Sequence, residues 1–410
     1  MTKTKVEELA LGGRGVKEAI SLGDGIWMSP GVTASFLVTT SAGDVVINTG
    51  LPNEGEHHRT LFSAKSDAPV DMVVFTQSHA DHTGGAEAFL GDGTRVLAHA
   101  NYGDVTDYWH RFGRFYRDRS RKLWGGVLGN TDEPYAPPPL PLPTEVFEDR
   151  FAFELGGRRF ELLSTPGGET TDSLVVWLPD EKTAFTGNLF GPAFGNFPAL
   201  YTIRGDKYRS AREFLRSLDR VASLGAERLV TGHGDPIEGA AVIAEGLARV
   251  RAAVQYVYDE TTRGMNEGRD VYALMREVQL PAEIAVGEAH GKVSWGVRAI
   301  WEEHAGWFHY DSTAALYAVP ARGVWEELAE LAGKDALVAA ARKRIDAGEV
   351  VEALHLLDVA EARDPDSKDL LRLRAEALEL LVARAGGENF SEMRWLKSQL
   401  DAVREKLESR

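Results

Sequence analysis

The residues from Thr76 to Gly85, Thr-Gln-Ser-His-Ala-Asp-His-Thr-Gly-Gly, directly follow a short apolar run at 72–75 that reads as a buried strand. Two imidazoles and one carboxylate fall within four positions of this stretch, at His79, Asp81 and His82. A turn after a strand aims several such side chains at one point, which is what a divalent metal ion requires. The pattern predicts a metal site, although a His-x-Asp-His sequence alone is also compatible with a loop cluster of hydrogen bonds.

The stretch resembles the H-x-H-x-D-H motif of the metallo-β-lactamase superfamily, with Gln77 at the place of the family's first histidine. Glu169, in a Pro-Gly-Gly turn, lies where the superfamily generally has a histidine and its alkylsulfatase branch has a glutamate. Asn188 occupies the place of a metal-bridging acid, and His233 matches the last metal-binding histidine. Asn48 replaces an aspartate that steadies the metal loop, a role it would fill as a neutral hydrogen-bonding group.

The resemblance implies two zinc half-sites built from imidazole, carboxylate and amide side chains. The primary half-site comprises Asp81, His82 and His233, the second comprises Gln77, His79 and Glu169, and Asn188 lies near both. The primary half-site has three good ligands and an open position, which is the arrangement of a catalytic zinc. The second is weaker because an amide is a neutral ligand, so we expect weaker occupancy there.

Zinc lowers the pKa of its bound water toward ~7 and so supplies hydroxide at neutral pH. Asp81 is the predicted catalytic residue, because its carboxylate would lie beside this water as well as beside the metal. It would orient the water or take its proton. Its role as a base would matter more if only one zinc binds.

The run 200–205 reads Leu-Tyr-Thr-Ile-Arg-Gly and is similar to an alkylsulfatase segment whose arginine faces the sulfate group. The resemblance implies that Arg204 anchors an anion by forked hydrogen bonds, with Tyr201 also at the substrate. The alternative for Arg204 is a surface salt bridge. Residues 101–145, rich in aromatics such as Trp124 and then in proline, are predicted to form a substrate wall rather than a plain surface insertion.

Composition limits the classes of partner. The net charge of −16 disfavours nucleic acid and anionic membrane surfaces. The absence of cysteine excludes disulfides and thiolate ligands, so a metal must use imidazole, carboxylate, amide or water. There is no apolar run of signal-peptide length, and none approaches the ~18 residues of a membrane span. We therefore expect a soluble, cytoplasmic protein without a membrane partner.

The 410 residues predict two or three domains. We expect an α/β fold, an αββα metallo-β-lactamase sandwich at 1–245 that carries the covering insertion at 101–145. An all-α domain at 246–410 should follow, because segments such as 254–261 and 306–311 resemble the dimerisation region of the alkylsulfatase branch. Small residues near 348–365 have the spacing of a tetratricopeptide helix pair, which predicts packing against a second subunit in a homodimer. The alternative is an ordinary helical tail.

Three functions fit these observations. The first is a zinc-dependent hydrolase whose hydroxide attacks an ester, with an alkyl sulfate as the leading substrate and aromatics of 101–124 holding its apolar part. The second is a mono-zinc hydrolase of a lactone, lactam or amide. The third is a binding or scaffold protein with a degenerate metal site, a reading that the amides at Gln77 and Asn188 motivate.

Overall fold

The computed structural model describes residues 3–13, 15–128, 141–206 and 209–409. By its internal contacts the chain divides into two compact units. The first contains Lys3–Arg121 and Gly125–Glu303, and the second contains Lys122–Trp124 and the chain from His304 onward. The Pro-rich part of the predicted insertion lies largely outside the described residues, which resume at 141.

Two sheets form the centre of the first unit. Among the described residues, the first sheet contains, in sequence order, β1 (Ile20–Gly23), β2 (Ile26–Ser29), β3 (Ser35–Val38), β4 (Asp44–Ile47), β5 (Val70–Val74), β6 (Arg95–His99) and β7 (Glu145–Phe147). The second contains β8 (Arg150–Leu155), β9 (Arg158–Ser164), β10 (Leu174–Leu178), β11 (Thr183–Gly187), β12 (Arg228–Thr231) and β13 (Ile237–Glu238). Pairing is parallel from β4 to β7 and between β11 and β12, and antiparallel elsewhere.

The helices of the first unit lie outside the two sheets in sequence. They are α1 (Lys5–Gly12), α2 (Gly55–Ser63), α3 (Ala80–Thr83), α4 (Tyr102–Arg111), α5 (Gly113–Leu128), α6 (Ala211–Ala222), α7 (Ala240–Asn266), α8 (Val271–Glu277) and α9 (Val293–Ala305). The last residues of α5 belong to the second unit by their contacts. Within the described residues, every helix is too short or too polar to cross a bilayer.

Apolar side chains facing each other between the two sheets form the central core. Phe36 of β3 and Phe185 of β11 are both buried, and their ring centroids lie 5.1 Å apart. A second cluster joins the outer face of the first sheet to α2, and a third joins the outer face of the second sheet to α6, α7 and α9. This layering confirms the predicted αββα sandwich.

The third cluster also shows where the first unit ends. Val254 of α7 and Val297 of α9 are fully buried in the same core as Leu229 of β12. Contacts therefore assign these helices to the sandwich, and the units divide between 303 and 304. The predicted domain boundary between 245 and 246 falls earlier, at the start of α7.

The second unit is helical. It contains α10 (Trp325–Ala332), α11 (Lys334–Asp346), α12 (Val350–Glu361), α13 (Lys368–Ala385) and α14 (Phe390–Glu408). Ala353 and Ala360 are buried on α12, and Ala341 of α11 is fully buried in the same cluster. These small side chains allow the two helix backbones to pack closely, as the tetratricopeptide-like spacing predicts.

Candidate metal centre

Three side chains from two turns converge at one end of the sandwich. Asp81 and His82 lie on α3, which follows the loop after β5, and His233 lies in the turn after β12. One ligand atom from each lies within 4.8 Å of the others, and no other acidic or imidazole trio of the described residues is so grouped. His82 Nε2 is 3.6 Å from Asp81 Oδ2. The structure thus brings together the predicted primary half-site.

A hydrogen-bond chain orients His82. The backbone N–H and the hydroxyl of Thr76 both donate to Asn48 Oδ1, each at 3.0 Å. Because the hydroxyl proton is used there, Thr76 Oγ1 accepts from His82 Nδ1 at 3.2 Å. His82 Nε2 is buried and has no hydrogen-bond partner among the described residues. Such a second-shell contact fixes the tautomer that leaves Nε2 as a metal ligand.

The loop between β2 and β3 orients the other two ligands. His233 Nδ1 donates to the backbone oxygen of Val32 at 2.5 Å, so its Nε2 carries the lone pair. Thr33 donates its hydroxyl to Asp81 Oδ2, also at 2.5 Å. Glu54 fixes this loop, because its Oε1 accepts from Val32 N at 2.8 Å. These contacts were not foreseen from the sequence, since they join residues far apart in the chain.

The electrostatics suit metal binding. Burial would raise the pKa of the Asp81 carboxyl, but the imidazoles of His82, His79 and His233 and the hydroxyl of Thr33 hold it below its ordinary value. Burial lowers the pKa of His82 to about 4. At neutral pH the centre therefore presents an ionised carboxylate and a neutral imidazole, the forms that bind a divalent cation.

The predicted second half-site has a different arrangement. His79 is buried, with Nδ1 2.9 Å from Gln77 Nε2 and 3.5 Å from Glu169 Oε1. That carboxylate oxygen also accepts from Arg209 Nη2 at 2.9 Å, and both side chains are almost fully buried. The Glu169 charge is therefore already paired with a guanidinium. Arg209 was missed in the sequence, because attention went to Arg204 in the same segment.

Asn188 lies beside the primary group. Its Oδ1 is buried and has no hydrogen-bond partner among the described residues. A Cβ placed on Gly232 would clash with this oxygen and would lie 3.1 Å from His82 Cε1. Glycine is therefore required where the two side chains approach the turn before His233.

Arg204 lies on the His79 side of the site. Its guanidinium carbon is 6.0 Å from the ring centroid of Trp109, and that ring is 5.3 Å from His79. Trp109 also packs on Tyr116 at 4.8 Å, and Arg119 donates to the Ile203 carbonyl at 2.7 Å. The aromatic part of the insertion, in α4 and α5, thus borders the predicted anion anchor.

The other two predicted substrate contacts lie elsewhere. Tyr201 is 44% exposed, two residues before the end of the segment that Arg119 holds. Trp124 belongs to the second unit by its contacts, and its ring centroid is 4.2 Å from that of Phe390. The placement differs from the prediction because Trp124, near the end of α5, already has an aromatic packing partner.

Comparison with known families agrees with this geometry. The family model for the metallo-beta-lactamase superfamily matches residues 28–233, half of the chain. The chain belongs to the metallo-β-lactamase superfamily. A second model, for alkyl sulfatase dimerisation, matches residues 273–397. The two models in this order place this superfamily member in the alkylsulfatase-like branch, among hydrolases of the fold, as predicted.

Characterised relatives of this superfamily member include a linear primary-alkylsulfatase from a Pseudomonas species, 27% identical over 84% of this chain and 69% of the relative. An alkyl/aryl-sulfatase of Saccharomyces cerevisiae is 24% identical over 83% of this chain and 57% of its own. The solved structure of a stereoselective inverting sec-alkylsulfatase from Pseudomonas has a TM-score of 0.83 at 20% identity, over 95% of this chain and 66% of that one. The chain therefore shares their fold and spans about half to two thirds of their length.

Proposed function

We propose that this protein is a zinc-dependent hydrolase that cleaves an ester, with an alkyl sulfate as the leading substrate. The observation that carries the proposal is the group formed by Asp81, His82 and His233, in which both imidazoles direct an unprotonated Nε2 toward one carboxylate. The buried Nε2 of His82 without a hydrogen-bond partner fits a metal ligand. The names of the alkylsulfatase relatives support the choice of substrate.

Zinc held by these three side chains supplies a Lewis acid and a water whose pKa is lowered toward ~7. Asp81 stays ionised at neutral pH and is positioned by Thr33, so its carboxylate can orient the attacking water and accept its proton. Thr76 and Val32 keep the two imidazoles in fixed orientations throughout.

Arg204 binds the anionic end of the substrate in this proposal. Its Nε is buried and has no hydrogen-bond partner among the described residues, and its Nη2 lies 3.8 Å from Asp206. A guanidinium with an unused donor matches the several oxygens of a sulfate group. Trp109 beside it supplies an apolar and π-bonded surface.

A second candidate is a mono-zinc hydrolase of a lactone, lactam or amide. The observation that favours it is the pairing of Glu169 with Arg209, together with the amide nitrogen of Gln77 next to His79. Both contacts occupy groups that a second metal would need. One zinc at the primary half-site is therefore sufficient for either candidate.

The deciding experiment uses metal-reconstituted protein. We expect about one tightly bound zinc per chain by elemental analysis after dialysis, and turnover of decyl sulfate. Turnover of a carboxylic ester or lactone without any turnover of decyl sulfate would favour the second candidate. Less than ~0.2 zinc per chain at neutral pH would support the binding or scaffold function instead.

We also propose that the protein is a homodimer, supported by the match of residues 273–397 to the dimerisation model. Light scattering of the full-length chain is expected to give twice the mass of one chain, and a monomer mass would overturn this. The cytoplasmic location stays a prediction.

A further inference from the structure

The first unit contains a cavity of about 590 Å³ on the His233 side of the metal centre. We call it the α1 cavity, because α1 forms one of its walls together with the loop before β3, the turn at His233 and residues 192–196. Its lining includes the apolar side chains of Leu9, Met28, Phe194 and Ile237. Pockets of this size and character bind small molecules with an apolar part.

The α1 cavity and the anion anchor lie on different sides of the ligand group. His233 lines the cavity, whereas Arg204 lies beside Trp109, which packs on His79. Asp81 interacts electrostatically with both histidines. A molecule bound at Arg204 would therefore pass the metal centre before it reached the cavity.

The charges at the cavity agree with this direction. Lys5, Glu8 and Asp235 line it and are exposed. Two carboxylates against one ammonium disfavour an anionic group at this end. An uncharged, apolar chain is the part of an amphiphilic ester that suits this place.

We propose that the α1 cavity binds the apolar chain of the ester substrate while its anionic group lies at Arg204. The inference rests on the proposed function and names where the alkyl chain goes. If a methylene takes about the ~30 Å³ of a water molecule, a ten-carbon chain needs roughly 300 Å³. The chain therefore fits with room for several more carbons.

The test compares substrates of different chain length in variants of α1. In the unmodified protein, kcat/KM is expected to rise about threefold per methylene from butyl to decyl sulfate. Leu9→Trp, which fills the cavity, should lower kcat/KM for decyl sulfate by at least about tenfold and leave butyl sulfate within about twofold. Leu11→Trp, on the same helix but outside the lining, is the matched control and should keep the chain-length dependence.

A binding measurement separates this inference from the proposed function. Titration calorimetry with 1-decanol, which has no ester to cleave, should show binding to the unmodified protein and to Leu11→Trp, and at least tenfold weaker binding to Leu9→Trp. Leu9→Phe makes a smaller change and replaces the tryptophan variant if that does not fold. Equal decanol binding in all folded variants, or equal losses for butyl and decyl sulfate, would overturn the inference. Leu9-dependent decanol binding without sulfatase turnover would retain the cavity and reject the substrate.

Discussion

Thr33 provides the sharpest test of how the metal centre is held. Its side chain is fully buried, and its hydroxyl donates to Asp81 Oδ2 at 2.5 Å. Thr33→Val replaces that hydroxyl with a methyl group of similar size. The carboxylate then keeps its position in the chain but loses the contact that fixes its rotation.

The expected magnitude follows from two independent considerations. A hydrogen bond to a charged group contributes about 1.5–3 kcal/mol. Loss of a second-shell partner typically weakens metal binding by about 10–100-fold, which corresponds to roughly 1.4–2.7 kcal/mol. We therefore expect the zinc dissociation constant of Thr33→Val to rise by one to two orders of magnitude.

Competition with a chromophoric chelator at neutral pH measures this constant directly. Thr39→Val is the matched control, because Thr39 donates its hydroxyl to the Gly25 carbonyl at 3.1 Å, away from the ligand group. The control should change the free energy of unfolding by about 1 kcal/mol and leave zinc affinity within twofold. A Thr33→Val constant within twofold of the unmodified protein, or an equal loss in the control, would refute the reasoning.

Three further predictions follow from the same geometry. His82→Ala should remove most of the zinc and Gln77→Ala little, as measured by elemental analysis after dialysis; equal losses would mean that the two half-sites are misranked. Arg204→Lys keeps the charge but loses the planar fork, so KM for a sulfate ester should rise about tenfold while an uncharged ester is unaffected. Burial lowers the pKa of His58 to about 4, so the unfolded chain binds an extra proton between pH 6.5 and 4 and stability falls with pH in that window. His58→Gln should reduce this slope by about 1.4 kcal/mol per pH unit in urea titrations of the metal-free protein, and an unchanged slope would contradict the assignment.

The sequence was sufficient to predict the sandwich and the primary ligand group because both depend on local patterns. Asp81 and His82 are adjacent in a turn after an apolar strand, and His233 follows another such strand. Strand order and alternation then bring the turns to one end of the sheets. The family resemblance supplied the match between these distant turns.

The remaining contacts could not be predicted because they join side chains through the folded core. Arg209 pairs with Glu169 across 40 positions, and Thr33 reaches Asp81 across 48. Neither pair leaves a periodic signal in the sequence. Trp124 shows the same limit, since an aromatic residue in an insertion has no local mark that separates a substrate wall from a packing contact.

The close approach at Gly232 has an evolutionary consequence. Asparagine and aspartate have nearly the same shape, so position 188 can exchange one for the other without disturbing its neighbours, whereas position 232 accepts no side chain at all. Descendants of this gene could thus gain or lose a negative charge at the centre by one conservative replacement. Divergence between one-metal and two-metal lineages would then proceed through charge, while the shape around it stayed inherited.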